Sequence, residues 1–398
     1  MNPNLSKLQP YPFERLNALK SGITPPADLA PIALSIGEPK HPAPGFARET
    51  LSHNLHHLSG YPSTKGIPEL RQAIAHWAER RFKLTQGLCP ETQVLPCTGT
   101  REALFAITQA IIDRSQSSPL VVCPNPFYQI YEGAAYLAGA EPYFVNCLAE
   151  NQFLPDFDQV PAAIWQRCQL LFICSPGNPT GAVIGLEQLK KLIALADQYD
   201  FVIAADECYS EIYFDENQPP AGLLQACSEL GRDDFKRCLV FHSLSKRSNL
   251  PGLRSGFVAG DAQLMSKFLL YRTYQGCAMP IYSQLASIEA WNDEAHVLEN
   301  RNQYRAKFDA VLQRLEGVLP LSRPDAGFYL WAATPIDETL FARELFAQQH
   351  ITVLPGSFLS RPSEGIDPGK QRIRMALVAE LEQCIEAAER IVRFCNNL

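Results

Sequence analysis

No two of the twelve cysteines stand in a C-x-x-C pair. The spacing of structural zinc sites and of redox dithiols is therefore missing. Several cysteines lie inside apolar stretches, such as Cys123 in Leu120-Val-Val-Cys123 and Cys174 in Leu170-Leu-Phe-Ile-Cys174, and read as buried thiols. A chain of 398 residues can fill a core without disulfides. Nor is there an apolar run of about eighteen residues that could cross a bilayer. The N-terminal MNPNLSKLQPYPFERL has no apolar h-region. The expectation is a soluble, cytoplasmic protein. Positive charge is also scarce: 35 basic against 42 acidic residues give a net charge of −7. Such a surface has no electrostatic reason to hold nucleic acid or a membrane. An anionic substrate must be drawn in by cations gathered in one pocket.

No repeat of fixed period and no low-complexity tract is present. No G-x-G-x-x-G opens a helix after a strand, and no G-x-x-x-x-G-K-[ST] occurs, so the common dinucleotide and triphosphate cradles are absent. What the chain has is 46% apolar residues against 19% charged, enough for a sizeable core. The first 45 residues are proline-rich and read as irregular. A helix is predicted over 67–82, with Leu70, Ile74 and Trp77 on one face and Pro68 in its first turn. A second is predicted over 102–112. Short apolar strands at 120–123, 142–146, 169–174, 201–205, 238–241 and 257–259 then alternate with helices at 129–138 and 186–198. That pattern predicts a mostly parallel sheet covered by helices. From about residue 280 the texture changes to a long helix (283–315), a strand (327–332), a helix (340–349), short strands (351–354 and 372–377) and a last helix (379–396). This predicts a second, α+β domain.

In parallel sheets ligands bind beyond the carboxyl ends of the strands. Those ends are polar here. Ser175-Pro-Gly-Asn178-Pro-Thr-Gly181 follows one strand and Asp206-Glu-Cys-Tyr209 the next. His242-Ser243-Leu-Ser245-Lys246 follows a third, with Arg254 eight residues on. Thr98-Gly-Thr-Arg101 precedes the second helix. Singly, each reads as a turn, a cap or a surface charge. Together they gather a lysine, an aspartate, a tyrosine, an asparagine, a serine and an arginine.

This constellation resembles the fold-type I aminotransferases, which depend on pyridoxal 5′-phosphate (PLP). The likeness runs from Ile36-Gly-Glu-Pro39 to Arg374. It implies an α/β fold: a large PLP-binding domain of mostly parallel sheet sandwiched by helices, residues 46–282, and a smaller α+β domain from residues 1–45 and 283–398. It also implies roles. Lys246 is the residue that carries PLP on its amine and then moves protons, which requires a depressed pKa. Asp206 partners the pyridine nitrogen and keeps it protonated. Tyr209 and Asn178 donate to the ring's phenolic oxygen. Gly99, Thr100 and Arg101 open a helix whose free N–H groups suit the phosphate, with Ser243 and Arg254 beside them. Tyr128 stacks on the ring. Tyr61 reaches the phosphate in a neighbouring subunit, which implies a homodimer with shared sites. Arg374 grips the substrate carboxylate, with Arg372 as the alternative, and Gly37 and Asn178 contact the substrate too. Cys208 lies close to the cofactor, between Asp206 and Tyr209.

The segments LQPYPFERLNAL (8–19), LSIGEPKHPAP (34–44) and CPNPFYQIYEGAA (123–135) look like the proteobacterial N-succinyldiaminopimelate aminotransferases. The implied reaction exchanges an amino group between glutamate/2-oxoglutarate and N-succinyl-LL-2,6-diaminopimelate. Small amino acids and 2-oxo acids are thus the expected partners. The distal carboxylates call for a further cation, with Lys40, Lys65, Arg101 and Arg361 as candidates. Aspartate, alanine or aromatic aminotransferases and PLP-dependent carbon–sulfur lyases are the alternatives.

Overall fold

The computed structural model describes all 398 residues. Its twelve strands are β1 (Ile32–Ala33), β2 (Val94–Cys97), β3 (Leu120–Asn125), β4 (Glu141–Asn146), β5 (Cys168–Cys174), β6 (Val202–Asp206), β7 (Cys238–Ser243), β8 (Gly256–Gly260), β9 (Tyr329–Ala333), β10 (Ile351–Thr352), β11 (Leu354–Pro355) and β12 (Arg372–Ala376).

Seven strands form one sheet in the order β2-β8-β7-β6-β5-β3-β4. The five from β7 to β4 are mutually parallel, while β8 runs antiparallel to β7 and β2 antiparallel to β8. The central strands are near-continuous apolar runs because both faces are covered. Alternate residues divide between the faces. Leu171, Ile173, Ile203 and Val240 pack with helices carrying Trp77, Leu192 and Leu224. Leu170, Phe172, Ala204 and Leu239 pack with Leu104, Ile107 and Phe268 on the other side. This is the predicted α/β sandwich. It sends β5, β6 and β7 to a common edge where their polar followers meet.

A second, three-stranded sheet has the order β11-β12-β9 and is antiparallel. The helices Ala295–Leu315, Glu338–Gln349 and Leu381–Cys395 cover it, burying Phe308, Phe341, Ile391 and Phe394 against Leu330 and Ile373. The N-terminal segment joins this unit through β1, which pairs with β10 in parallel.

Four sequence expectations need correction. The 283–315 stretch is two helices, Ile281–Asn292 and Ala295–Leu315. Asp293 leaves the helical conformation there and its carboxylate accepts from His296 N at 2.9 Å, which starts the second helix. The 351–354 strand is two two-residue strands in different sheets, β10 and β11. The first 45 residues are not irregular throughout: Pro12–Lys20 is a helix begun by its proline. Finally β2 was absent from the predicted strands, since Val-Leu-Pro-Cys is short and contains a proline.

Candidate active site

A cavity of about 630 Å³ opens at the ends of β5, β6 and β7. Cys174, Asp206 and Ser243, which end those strands, line it. The helix Thr100–Ile111 points its N-terminus into the cavity, with Gly99 as N-cap. Gly99 has a φ of +95°, and a Cβ there would lie 2.1 Å from Arg254 Nη2. Only glycine combines that backbone with an arginine packed against the helix start. The unpaired N–H groups of the first turn, the Arg254 guanidinium and the hydroxyls of Ser243 and Ser245, 2.9 Å apart, make an anion cradle.

Lys246 sits on the four-residue helix Leu244–Arg247 that follows Ser243. Its Nζ donates to Gly37 O at 2.5 Å. Burial pulls the amine down to about 8, helped by Arg374 and Arg254 and opposed by Cys208 and Glu38. Asp206 is buried at the end of β6. It accepts from Tyr131 Oη at 2.8 Å and from Cys208 N at 3.4 Å. Burial raises its pKa, and those two donors work the other way. Tyr209 Oη lies 3.0 Å from Tyr329 Oη, and burial with that neighbour keeps the phenol protonated. Arg374 on β12 donates to Asn178 Oδ1 at 2.9 Å and to Ser35 O at 2.7 Å, while its buried Nε has no partner.

Of the residues singled out from the sequence, Lys246, Asp206, Tyr209, Asn178, Thr100, Arg101, Tyr128, Ser243, Arg254, Arg374 and Gly37 all line this cavity, and so does Cys208. Gly99 flanks it. Tyr61 is not in its lining within one chain, and its side chain is fully exposed. Arg372, the alternative to Arg374, lies over the ring of Phe153 and outside the lining. Three of the four candidate distal cations are also elsewhere. Lys40 pairs with Glu38, Lys65 with Glu91 on the surface, and Arg361 forks onto Glu132. Arg101 alone of the four is in the cavity, where it donates to Tyr128 Oη at 2.6 Å and Tyr11 Oη at 2.9 Å. Tyr11, Tyr131, Tyr329 and Ser245 were missed. Tyr11 and Tyr131 stood in the quoted 8–19 and 123–135 segments without being singled out, and Tyr329 lay in none; all three reach the site by tertiary packing. Ser245 stood in the quoted Ser-Leu-Ser-Lys motif.

A family model described as aminotransferase class I and II matches residues 30–391. The chain belongs to the class I and II aminotransferases. It is 32% identical over 394 residues to the LL-diaminopimelate aminotransferase of Syntrophobacter fumaroxidans, with 97% of each chain covered. The LL-diaminopimelate aminotransferase of Aquifex aeolicus is 34% identical over 396 residues, again over 97% of each. The crystal structure of an aminotransferase from Neisseria meningitidis superimposes with a TM-score of 0.95 at 49% identity, over 99% of this chain and 100% of that one.

Like its family, this aminotransferase depends on PLP. The cavity fits that group on three observations. A Cβ-free cradle holds Arg254 at a helix N-terminus, where a phosphate would lie. A buried carboxylate, Asp206, can face a cationic ring nitrogen. A lysine with a depressed pKa lines the same cavity and feels the Arg374 and Arg254 guanidinium groups.

Proposed function

We propose that Lys246 carries PLP and that the residues predicted around it keep the roles given above. When bound, PLP would supply an electron sink for the substrate Cα. The protein does the rest. Lys246 Nζ, whose neutral fraction is already large near pH 8, takes the proton from Cα. Asp206, oriented by Tyr131, holds a proton on the ring nitrogen. Tyr209 and Asn178 donate to the ring oxygen. The N–H groups of Gly99, Thr100 and Arg101, with Ser243 and Arg254, take the phosphate. Arg374 orients the substrate by its α-carboxylate, and Tyr128 flanks the ring. Tyr61 serves the site of a second subunit in a homodimer.

The substrate we assign is of the diaminopimelate series, exchanged with glutamate and 2-oxoglutarate. The observation that carries this is Arg101, a third cavity arginine beside Arg254 and Arg374. Its fork is suited to a distal carboxylate. The names of the two relatives support the diaminopimelate skeleton. The N-succinyl form is our first reading. A free distal ammonium would need a cavity carboxylate besides Asp206; Glu38 is the one in the lining, and its pairing with Lys40 at 3.0 Å weakens its pull on a second cation. Free LL-diaminopimelate is the second reading, favoured by the relatives' names. The test is a panel of amino donors read by the spectral change of the bound cofactor. It includes N-succinyl-LL-diaminopimelate, LL-diaminopimelate, glutamate, aspartate, alanine and aromatic amino acids. N-succinyl-LL-diaminopimelate and glutamate are expected to react fastest. Preference for the free form would select the second reading, and reaction with aspartate, alanine or aromatic donors alone would discard both.

A further inference from the structure

One buried polar cluster takes no part in the cavity lining. His41, Asn249, Asn300 and Lys307 are each at most 9% exposed. His41 belongs to the N-terminal segment, Asn249 follows the lysine-bearing helix, and Asn300 and Lys307 lie on the helix Ala295–Leu315. Asn300 Nδ2 donates to the carbonyls of Lys246 (3.2 Å) and Arg247 (3.3 Å). Its Oδ1 must therefore accept. The donors are Asn249 Nδ2 at 2.9 Å and His41 Nδ1 at 2.8 Å. His41 thus bears its proton on Nδ1, and the neutral ring leaves Nε2 to accept from Lys307 Nζ at 2.5 Å. Burial, the largest influence on His41, favours that neutral ring. Every hydrogen and lone pair of the Asn300 amide is used.

We propose that Asn300 is a positioning residue for Lys246: its amide clamps the two carbonyls of the turn that bears the lysine, and His41, oriented by Lys307, holds the amide in place. This rests on Lys246 being the residue that carries PLP. The turn needs such a clamp. A four-residue helix leaves its last carbonyls without helical partners, and buried acceptors left unpaired are costly. Nζ is at the end of a flexible stem, so its placement depends on a fixed backbone. A misplacement of about 1 Å in a reacting group can cost about a hundredfold in rate.

The charged and titratable groups that face Lys246 are Cys208, Arg374, Glu38 and Arg254. Those that face His41 and Lys307 from other elements or turns are Glu380, Glu299 and Cys384. Asn300→Leu changes none of them and adds no charge, so a titration shift reports the placement of Lys246. The experiment uses the holoenzyme without substrate and follows the visible absorbance of the lysine-bound cofactor against pH. Asn300→Leu is expected to move the midpoint by about half a pH unit or more. It is also expected to lower kcat about ten- to a hundredfold, with less change in KM. His41→Phe, which removes a donor to Asn300, should move the midpoint in the same direction. His41→Gln can still donate to Asn300 and accept from Lys307, and should restore most of the unaltered value. Borohydride fixation and peptide mapping separate two failures. No label on Lys246 in the unaltered enzyme overturns the role of Lys246 itself. Label on Lys246 with an unmoved midpoint in Asn300→Leu and His41→Phe overturns the clamp alone. If Asn300→Leu does not fold, the His41→Phe and His41→Gln pair decides by the same midpoint.

Discussion

Burial holds the Lys246 amine near 8, against the upward pull of Cys208 and Glu38 and with the help of Arg374 and Arg254. An ordinary lysine is neutral only above pH ~10. The neutral fraction of Lys246 therefore grows as pH rises through about 8, and only the neutral amine attacks a carbonyl. Capture of PLP by apoprotein is expected to quicken about tenfold per pH unit below that value and to level off above it. Stopped-flow absorbance measures this directly. A rate still climbing at pH ~10 would mean an ordinary lysine. Tyr209 illustrates the opposite control: burial beside Tyr329 keeps its phenol protonated, so it can only donate to an oxygen anion at neutral pH.

The elements matter because they aim these groups. Gly99 caps the start of the helix Thr100–Ile111 and lets Arg254 lie across its N-terminus. Gly99→Ala is expected to push Arg254 aside and strain the backbone, weakening PLP retention about tenfold or more while most of the fold survives. Equilibrium dialysis of the cofactor checks this, and unchanged retention would remove the cradle from the account. These local devices were legible in the sequence. Strands β5, β6 and β7 are near-continuous apolar runs that give way to polar residues at Ser175, at Asp206 and at His242, so both strand and site residues could be read from one pattern. Other features are not written locally. Strand β1 exists only because Ile32 and Ala33 find β10 more than 300 residues later. Tyr131 reads as an apolar helix residue, and only packing against Phe172 brings its hydroxyl to Asp206. The break at Asp293 was hidden by helical periodicity on both sides.

At the scale of the molecule, the two chain ends combine in one unit. Ser35 O accepts from Arg374 and Gly37 O from Lys246, so the N-terminal segment bridges the second sheet and the lysine turn. The division we propose keeps a large unit from residue 46 and a small unit from both ends. Ala290 and Trp291 pack with Trp77 against the large sheet, which favours a boundary after Asn292 rather than at 282. The net charge of −7 does not repel an anionic substrate, because three arginines face one cavity. No helix is long and apolar enough to cross a membrane. Tyr61 is fully exposed, and Leu55 and Leu58, a few residues before it in the chain, are about half-exposed or more, as a segment serving a second subunit would be. Tyr61→Phe is expected to weaken PLP retention severalfold in a dimer followed by sedimentation velocity, and a fully active monomer would refute the shared site. Every role proposed at this site depends on Lys246. The decisive measurement is borohydride reduction of the holoenzyme followed by mass spectrometry of its peptides: the pyridoxyl mass is expected on Lys246, and its appearance on another lysine, or on none, would overturn that role.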